Sequence, residues 1–334
     1  MTMTGTSDLA RLFLATAHNA RLKSDIARFG AELSTGRLAD PATRLGAGLS
    51  RLAELDRQLA RTTGFSQAAG QTAQALGTMQ TAMGGIDQAR ERTQQAALQL
   101  AGTDNPLRTT AVATAARGDF AAMLGALNTR SGSMTLFAGR TTDGAAVAGS
   151  DMMLAELRAT LAGATDVADA EARVDAWFGP GGGFETLGYL GDSGAPLTRR
   201  VDDATVMTMP VRADDPALRA ILAATALAAM ADDPGMALTD AGRQNLVLRA
   251  GERLLQGVEG LVQLRANLGD AEARLDAVRA DQSARQTALG LMRQEMVGSD
   301  PFEAASRLQA VQGQLETHYA LTARLSRLSL ADYL

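Results

Sequence analysis

The stretch LLQGVEGLVQLRANLGDAEARLDAVRADQSARQTALGLMRQEM, residues 254–296, decides the fold class of this chain. A large apolar residue recurs in it at multiples of seven, with Gln282 in the one remaining place: Leu254, Leu261, Leu268, Leu275, Leu289 and Met296. Such a repeat puts one apolar stripe along a helix that packs lengthwise against other helices. The stretch therefore predicts one long helix, which Gly298 ends.

A weaker seven-residue repeat lies in the N-terminal half of the chain. Leu76, Met83, Arg90 and Ala97 interleave there with Met79, Ile86, Thr93 and Leu100. Arg90 and Thr93 weaken the stripe, but its spacing still favours a coiled-coil-like seam. With long helices in both halves, we expect the N- and C-terminal regions to run antiparallel to each other.

Four Asp-Pro or Asn-Pro pairs predict helix starts. The side-chain oxygen of Asp or Asn accepts hydrogen bonds from first-turn amides, and Pro suits the first helical turn. The pairs are Asp40-Pro41, Asn105-Pro106, Asp215-Pro216 and Asp300-Pro301. Glu303 is expected to complete a capping box at the last pair. The helix that starts at Asp40 is expected to continue past Leu59, and an earlier helix from Ser7 ends at Gly36.

The two terminal helices carry apolar stripes that predict an assembly interface. Leu22, Ile26, Phe29 and Leu33 lie at steps of four, three and four on the N-terminal helix. The C-terminal segment supplies Leu308, Val311, Leu315, Leu325, Leu328 and Leu330. Isolated amphipathic helices need apolar partners, so we expect these residues to pack between the two helices and against neighbouring subunits.

The middle of the chain, residues 131–214, has a different pattern. Gly-rich turns there separate short β-prone pieces such as MTLFA and TVMTMPV. The predicted fold class is mainly α: a long antiparallel helical bundle or coiled coil, with a small, partly β middle domain at its tip. We expect terminal assembly helices at 1–38 and 300–334, helical rod halves at 39–130 and 215–299, and the middle domain at 131–214.

Charge and composition argue against several kinds of function. A net charge of -5 provides no positive field for a nucleic-acid backbone. The chain has no cysteine, and its two histidines, His18 and His318, stand at opposite ends of the sequence. Each histidine is interpreted as an ordinary helix position, so we predict no catalytic, metal or cofactor site.

The sequence also gives little indication of a signal peptide, a membrane-spanning helix or a phosphate-binding loop. The opening residues lack the basic start and apolar core of a signal peptide. The apolar run Ala220–Ala231 is shorter than the roughly 20 residues needed to span a bilayer. The glycine run Gly179–Gly183 has no following Gly-Lys-Ser/Thr and is interpreted as a flexible turn rather than a phosphate loop.

Both ends of the chain resemble the flagellin superfamily. The segment SRLQAVQGQLETHYALTARLSRLSLADYL resembles the ends of flagellins and hook-filament junction proteins, and ARLKSDIARFGAELSTGRLADPATRLGAG resembles their opening. Further in, IDQARERTQQAALQLA and RANLGDAEARLD resemble the paired rod segments of that superfamily. The matching motif residues are Gly36, Arg37, Arg90, Glu91, Arg265, Gly269, Arg274, Tyr333 and Leu334. The terminal Tyr-Leu and the turns LFAG and YLGDSG are similar to junction proteins rather than to flagellin.

This resemblance implies a secreted, non-enzymatic structural subunit of the bacterial flagellum at the hook-filament junction. It implies export through the flagellar type III apparatus with a flagellar export chaperone. The implied partners are copies of the chain itself in a ring, hook-associated protein 1 and flagellin. Nucleic acid and membrane are not among the implied partners, and no cofactor is implied.

Three alternatives stay open at this point. Flagellin itself would share both helical ends and differ in the middle domain. An intracellular coiled-coil adaptor would also show seven-residue repeats, but it would not need the matched end motifs. An enzyme is the least favoured class, because no cluster of titratable residues stands out in the sequence.

Overall fold

The computed structural model describes residues 5–102 and 105–331 of the chain. These residues are predominantly helical, which confirms the predicted mainly α class. Their α-helices are α1 (Gly5–Thr35), α2 (Pro41–Leu45), α3 (Leu49–Leu98), α4 (Pro106–Leu127), α5 (Ser150–Leu161), α6 (Val167–Phe178), α7 (Pro216–Met230), α8 (Asp240–Gln256), α9 (Val258–Val297) and α10 (Pro301–Ala331). A 3-10 turn (Gly46–Gly48) precedes α3, and a π-helical turn (Phe184–Gly188) follows α6.

Short strands form two separate antiparallel hairpins. In the first hairpin, β1 (Arg130–Ser131) pairs with β2 (Met134–Thr135). In the second, β3 (Thr198–Arg200) pairs with β4 (Val206–Thr208). Strands β2 and β4 lie in the MTLFA and TVMTMPV pieces, so the β structure predicted for these pieces is confirmed, although each strand is very short.

The chain divides into two compact units. Unit 1 comprises Met1–Thr63 and Ala284–Leu334, and unit 2 comprises Gly64–Ser283. Helices α1, α2 and α10 belong to unit 1, whereas α4 to α8 and both hairpins belong to unit 2. Helices α3 and α9 contribute residues to each unit. Unit 2 is therefore continuous in sequence, and unit 1 is built from both ends of the chain.

Helix α7 forms the centre of unit 2. Every residue from Ile221 to Met230 is buried, and α4, α5, α6 and α8 all contact this helix. The run Ala220–Ala231 is thus a core helix, as expected for a helix that is apolar all round. Thr225, its polar member, donates its hydroxyl to the Ile221 carbonyl at 2.9 Å, so this group is paired. Within the described residues, no helix is long and apolar enough to cross a membrane.

The seven-residue repeats are buried throughout unit 2, and their polar members have partners. Thr93 donates its hydroxyl to Asp119 at 2.9 Å, and Arg90 donates Nε to Asp87 at 2.9 Å. Gln282 donates Nε2 to a main-chain carbonyl just after β3 at 2.5 Å. The polar residues that interrupt the apolar repeat therefore still lie in the buried stripe, because each one is hydrogen-bonded there.

All four predicted Asp-Pro and Asn-Pro helix starts are confirmed. In each, the capping side chain accepts a hydrogen bond from a first-turn amide at 2.8 to 3.2 Å. The prediction of a capping box at α10 is wrong for Glu303. The Glu303 carboxylate binds Arg44 at 2.7 Å and also Arg307, one turn later, rather than the amide of Asp300. Two guanidinium groups are stronger partners for a carboxylate than one main-chain amide.

Glycines interrupt two of the predicted helices. The helix that starts at Asp40 stops at Gly46, whose φ is +50°, a conformation that favours glycine. The single long helix predicted from Leu254 is confirmed from Val258 to Val297, where Gly298 ends it, but its start is wrong because Gly257 separates α8 from α9. A Cβ at Gly257 would lie 3.0 Å from Cγ1 of Ile221, so the chain passes very close to α7 at this break.

The middle segment is more helical than its glycine content indicated. Helices α5 and α6 were not predicted, and they lie between the two hairpins. The rings of Trp177 and Phe178, at the end of α6, pack against Phe184, with centroids 6.2 and 5.4 Å away. A Cβ at Gly183 would lie 2.0 Å from Nε1 of Trp177. The glycine run thus lets the main chain pass close to an aromatic cluster.

The buried stripe predicts that substitutions at two positions on α9 differ greatly in their effect on stability. Leu268 is 0% exposed, so Leu268→Ala should lower the free energy of unfolding by about 2–5 kcal/mol. Val262 is 59% exposed on the same helix, and Val262→Ala should change it by less than about 0.5 kcal/mol. Urea unfolding followed by circular dichroism measures both values. Equal losses would contradict the orientation of the stripe.

Residues 64–283 should fold as an isolated fragment, because one continuous apolar core, from Ala69 to Leu275, lies entirely within unit 2. Trp177, the only tryptophan, is 6% exposed there and serves as a probe. We expect a cooperative urea transition in Trp177 fluorescence that coincides with the loss of helical circular dichroism. A gradual, non-cooperative change would show that unit 2 cannot fold without the chain ends.

Candidate assembly site on the terminal helices

Helices α1 and α10 pack against each other within unit 1. Leu22 and Phe29 of α1 are buried. The guanidinium groups of Arg28 and Arg307 lie 4.6 and 6.0 Å from the centroid of the Phe29 ring. Arginine side chains cover apolar surface with their stems and bind aromatic faces with their charged ends. Part of the predicted apolar stripe is therefore used inside the chain.

The other predicted interface residues are less covered, or their side chains lie outside the described part. Ile26, Leu308, Val311 and Leu315 are half-buried, and Leu33 is 40% exposed. The main chain of Leu325, Leu328 and Leu330 belongs to α10, but their side chains, like Tyr333 and Leu334 altogether, lie outside the described residues. A role for the predicted set in contacts between subunits stays a prediction.

Main-chain hydrogen bonds join the chain segments next to α1 and α10. Gly36 ends α1 with φ at +64°, which turns the chain and suits glycine. Its carbonyl accepts a hydrogen bond from the Ser299 amide at 3.0 Å, and the Leu38 amide donates to Val297 at 2.8 Å. Arg37 stands between these two bonds and takes part in the same antiparallel bridge. Two motif residues, Gly36 and Arg37, thus help to connect the two ends of the chain.

Unit 1 exposes large apolar side chains that the sequence stripes did not include. They are Phe13, Leu14, Leu291, Met292 and Phe302. Phe302, in the first turn of α10, is 82% exposed. Sequence analysis missed this residue because a position in the first turn of a helix has no preceding turn from which to read its face. The described part of unit 2 also exposes large apolar side chains, among them Leu107 and Val262, so exposure alone does not distinguish the two units.

The structure also brings the two histidines together. The ring centroids of His18 on α1 and His318 on α10 lie 5.2 Å apart, in an edge-to-face arrangement. Beside them, the Tyr319 phenol accepts hydrogen bonds from the side chains of Asn19 and Lys23, which hold its pKa below the ordinary value. No local motif could reveal this cluster, because its two histidines stand at opposite ends of the sequence.

In unit 2, three charged residues link α3 to α9. The Asp87 carboxylate binds Arg90 at 2.9 Å on α3 and lies 3.6 Å from the Arg265 guanidinium on α9. Gln80 on α3 also donates its side-chain amide to the Arg265 carbonyl at 3.0 Å. Arg90 is buried, so the nearby carboxylate compensates a charge that would otherwise be costly. The motif residue Arg265 therefore joins α9 to α3, whereas Arg90 pairs with the same Asp87 carboxylate from within α3.

The remaining motif residues lie outside that ion cluster. Glu91 is exposed and accepts a hydrogen bond from Gln95 at 3.0 Å. Gly269 is half-buried, and Arg274 is exposed on the wall of an open groove of about 520 Å³ beside β4. No group of three or more metal-ligating side chains occurs among residues 5–102 and 105–331.

Comparison with known proteins identifies the family. The sequence model of the bacterial flagellin N-terminal helical region matches residues 13–142, and that of the C-terminal helical region matches residues 255–334. Together these two ranges cover more than half of the chain. The comparison with curated proteins found no match to this sequence.

Two solved structures have a similar fold. One is a flagellar hook-associated protein from Vibrio parahaemolyticus, with a TM-score of 0.53 and 13% identity over 76% of this chain and 99% of that one. The other is FlgL of Bacillus cereus, with a TM-score of 0.52 and 12% identity over 72% of this chain and 99% of that one. At these identities the likeness shows a shared fold. With both terminal helical regions matched by sequence, this chain belongs to the bacterial flagellin family, whose members are structural parts of the extracellular flagellum.

Proposed function

We propose that this chain is the subunit of the hook-filament junction, a hook-associated protein 3. In this role, copies of the chain form a ring that binds hook-associated protein 1 on one side and flagellin on the other. The chain reaches the junction through the flagellar type III apparatus, assisted by an export chaperone. It acts by assembly and not by catalysis.

The observation that carries this proposal is the match of both terminal regions to the flagellin family, together with the large apolar side chains that these regions expose in unit 1. These side chains include Phe13, Leu14, Leu291 and Phe302. Full burial of one such side chain contributes roughly 1.5–3 kcal/mol. Several of them, repeated in every subunit of a ring, provide enough favourable free energy to hold an assembly together.

The turns LFAG and YLGDSG favour a junction subunit over flagellin. Both turns resemble junction proteins, and they contact each other in unit 2. The Asp192 amide donates to the Ala138 carbonyl at 2.9 Å. Gly139 has φ at +62°, and a Cβ on it would lie 2.3 Å from the Asp192 carbonyl oxygen, so no larger residue fits there. The two solved structures of similar fold, a hook-associated protein and FlgL, agree with this choice.

Deletion of the gene should leave cells with hooks but without filaments, and flagellin should appear in the medium as monomer. The physical reason is that an adaptor with two different faces cannot be replaced by direct contact between its neighbours. Electron microscopy of the cells and immunoblotting of the medium measure the two effects. Normal filaments on the deletion strain would contradict the proposal.

Immunogold labelling of detached flagella separates the two family members. We expect one narrow band of label at the boundary between hook and filament. Label along the whole filament would instead identify the chain as flagellin, the main alternative. Label confined to the cell interior would indicate a coiled-coil adaptor.

Phe302→Asp should abolish motility without lowering the stability of the monomer. Phe302 is 82% exposed, and an acidic residue in the first turn of a helix is favourable. A carboxylate placed in an apolar contact between subunits remains unpaired and costs several kcal/mol there. Motility in soft agar and thermal unfolding of the purified variant form the paired measurement.

Leu107→Asp is the matched control for this variant. Leu107 is 81% exposed and, like Phe302, is the second helical residue after an Asn-Pro or Asp-Pro start, but it belongs to unit 2. We expect nearly normal motility with Leu107→Asp. Full motility of Phe302→Asp, or an equal loss with both variants, would contradict the placement of the assembly surface on unit 1.

A further inference from the structure

We infer that His18 and His318 form a binding site for a divalent transition-metal ion, best probed with Zn²⁺, which fastens α1 to α10. The inference concerns the folded chain by itself, so it does not rest on the proposed place of the protein in the flagellum. Because the histidines belong to different helices, a shared ion would connect the two ends of the chain.

The distance between the rings suits a shared ion. Their centroids are 5.2 Å apart, and their planes are inclined by 74°. Two imidazoles that bind one tetrahedral zinc ion through nitrogens at about 2.0–2.1 Å have centroids roughly 5 Å apart. The two helices therefore already hold the rings at the required spacing.

The space beside the rings is open and partly polar. An open groove of about 570 Å³ borders both histidines, and Gln314 and Thr317 also line it. Gly313 and Ala310 form another part of its wall, and their small size leaves room beside the rings. Water can therefore reach an ion at the histidines, and the Gln314 and Thr317 side chains offer oxygen ligands to complete the coordination.

The composition of the site determines which ions it selects and how tightly. No third His, Cys, Asp or Glu joins the two histidines within the described residues, so the affinity should be moderate, in the micromolar range. Imidazole nitrogens favour zinc, nickel and copper, whereas magnesium and calcium prefer carboxylate and carbonyl oxygens. The ammonium group of Lys23, bound to Tyr319 nearby, repels any cation and so also limits the affinity.

Zinc titration of the full chain, prepared without a histidine tag, tests the site directly. Isothermal titration calorimetry should show one zinc ion per chain. His18→Gln and His318→Gln should each weaken binding by about tenfold or more, because each removes one of two nitrogen ligands. Absence of zinc binding below millimolar concentration, or binding that both variants leave unchanged, would overturn the inference.

Two substitutions at one position separate metal ligation from ring packing. His318→Cys should retain zinc binding, since a thiolate is a good zinc ligand and the chain has no other cysteine. His318→Phe keeps an aromatic ring against His18 but has no ligand atom, and should lose binding. Zinc binding that His318→Phe retains would show that the ion is not held by His318 and would overturn the inference.

Proteolysis at a single peptide bond tests whether a bound zinc ion holds α1 and α10 together. Lys23 is the only lysine of the chain and lies on α1, so a lysine-specific protease has one site. Zinc at ten times its Kd should slow this cleavage about tenfold in the wild-type chain, because binding to the closed form lowers the population of the open form. Cleavage of His18→Gln should not respond to the same zinc concentration. Zinc that binds the wild-type chain without slowing cleavage would refute the fastening role.

Discussion

Helix α7 is apolar on all sides, so other helices must bury its whole surface. This requirement determines how unit 2 is arranged. Ten consecutive residues of this helix are buried, and most of them are alanines and leucines. Helices α4, α5, α6 and α8 each cover part of it. The break at Gly257 belongs to the same arrangement, because the chain can pass close to Ile221 only where no side chain intervenes. The repeats of α3 and α9 extend the core outward from this centre.

Unit 1 has no helix of this kind. Its long helices α1 and α10 contact each other, and a pair of helices covers only one stripe on each partner. Phe29 is enclosed, in part by the arginines beside it, but Phe13, Leu14 and Phe302 stay exposed. A free monomer gains little from ordering such helices, whereas an assembly gains the burial of their outer stripes. The continuous core of unit 2, together with the single helix pair that α1 and α10 form in unit 1, is the physical basis of the proposed structural role.

Polar groups provide the specific contacts of the terminal helix pair. Apolar stripes allow several registers between two helices, whereas hydrogen bonds and ion pairs favour one. The bonds from Ser299 to Gly36 and from Arg44 to Glu303 set the register at one end of α10. The cluster of His18, His318 and Tyr319 does so farther along the helix. A metal ion at the histidines would add a contact that depends on conditions outside the protein.

Local patterns in the sequence determined the fold class, the four capped helix starts, the turn at Gly36 and the buried stripes, because each depends on residues within one or two helical turns. The matched motifs at both ends determined the family in the same direct way. Helices α5 and α6 were missed, because glycine-rich neighbours obscured amphipathic segments of only twelve residues. Only the tertiary structure decided that α7 is central, that Gly257 divides the last long repeat, and that Phe302 faces water. It alone brought His18 beside His318. These features depend on contacts between residues that are distant in sequence, and no local spacing records which helices will meet.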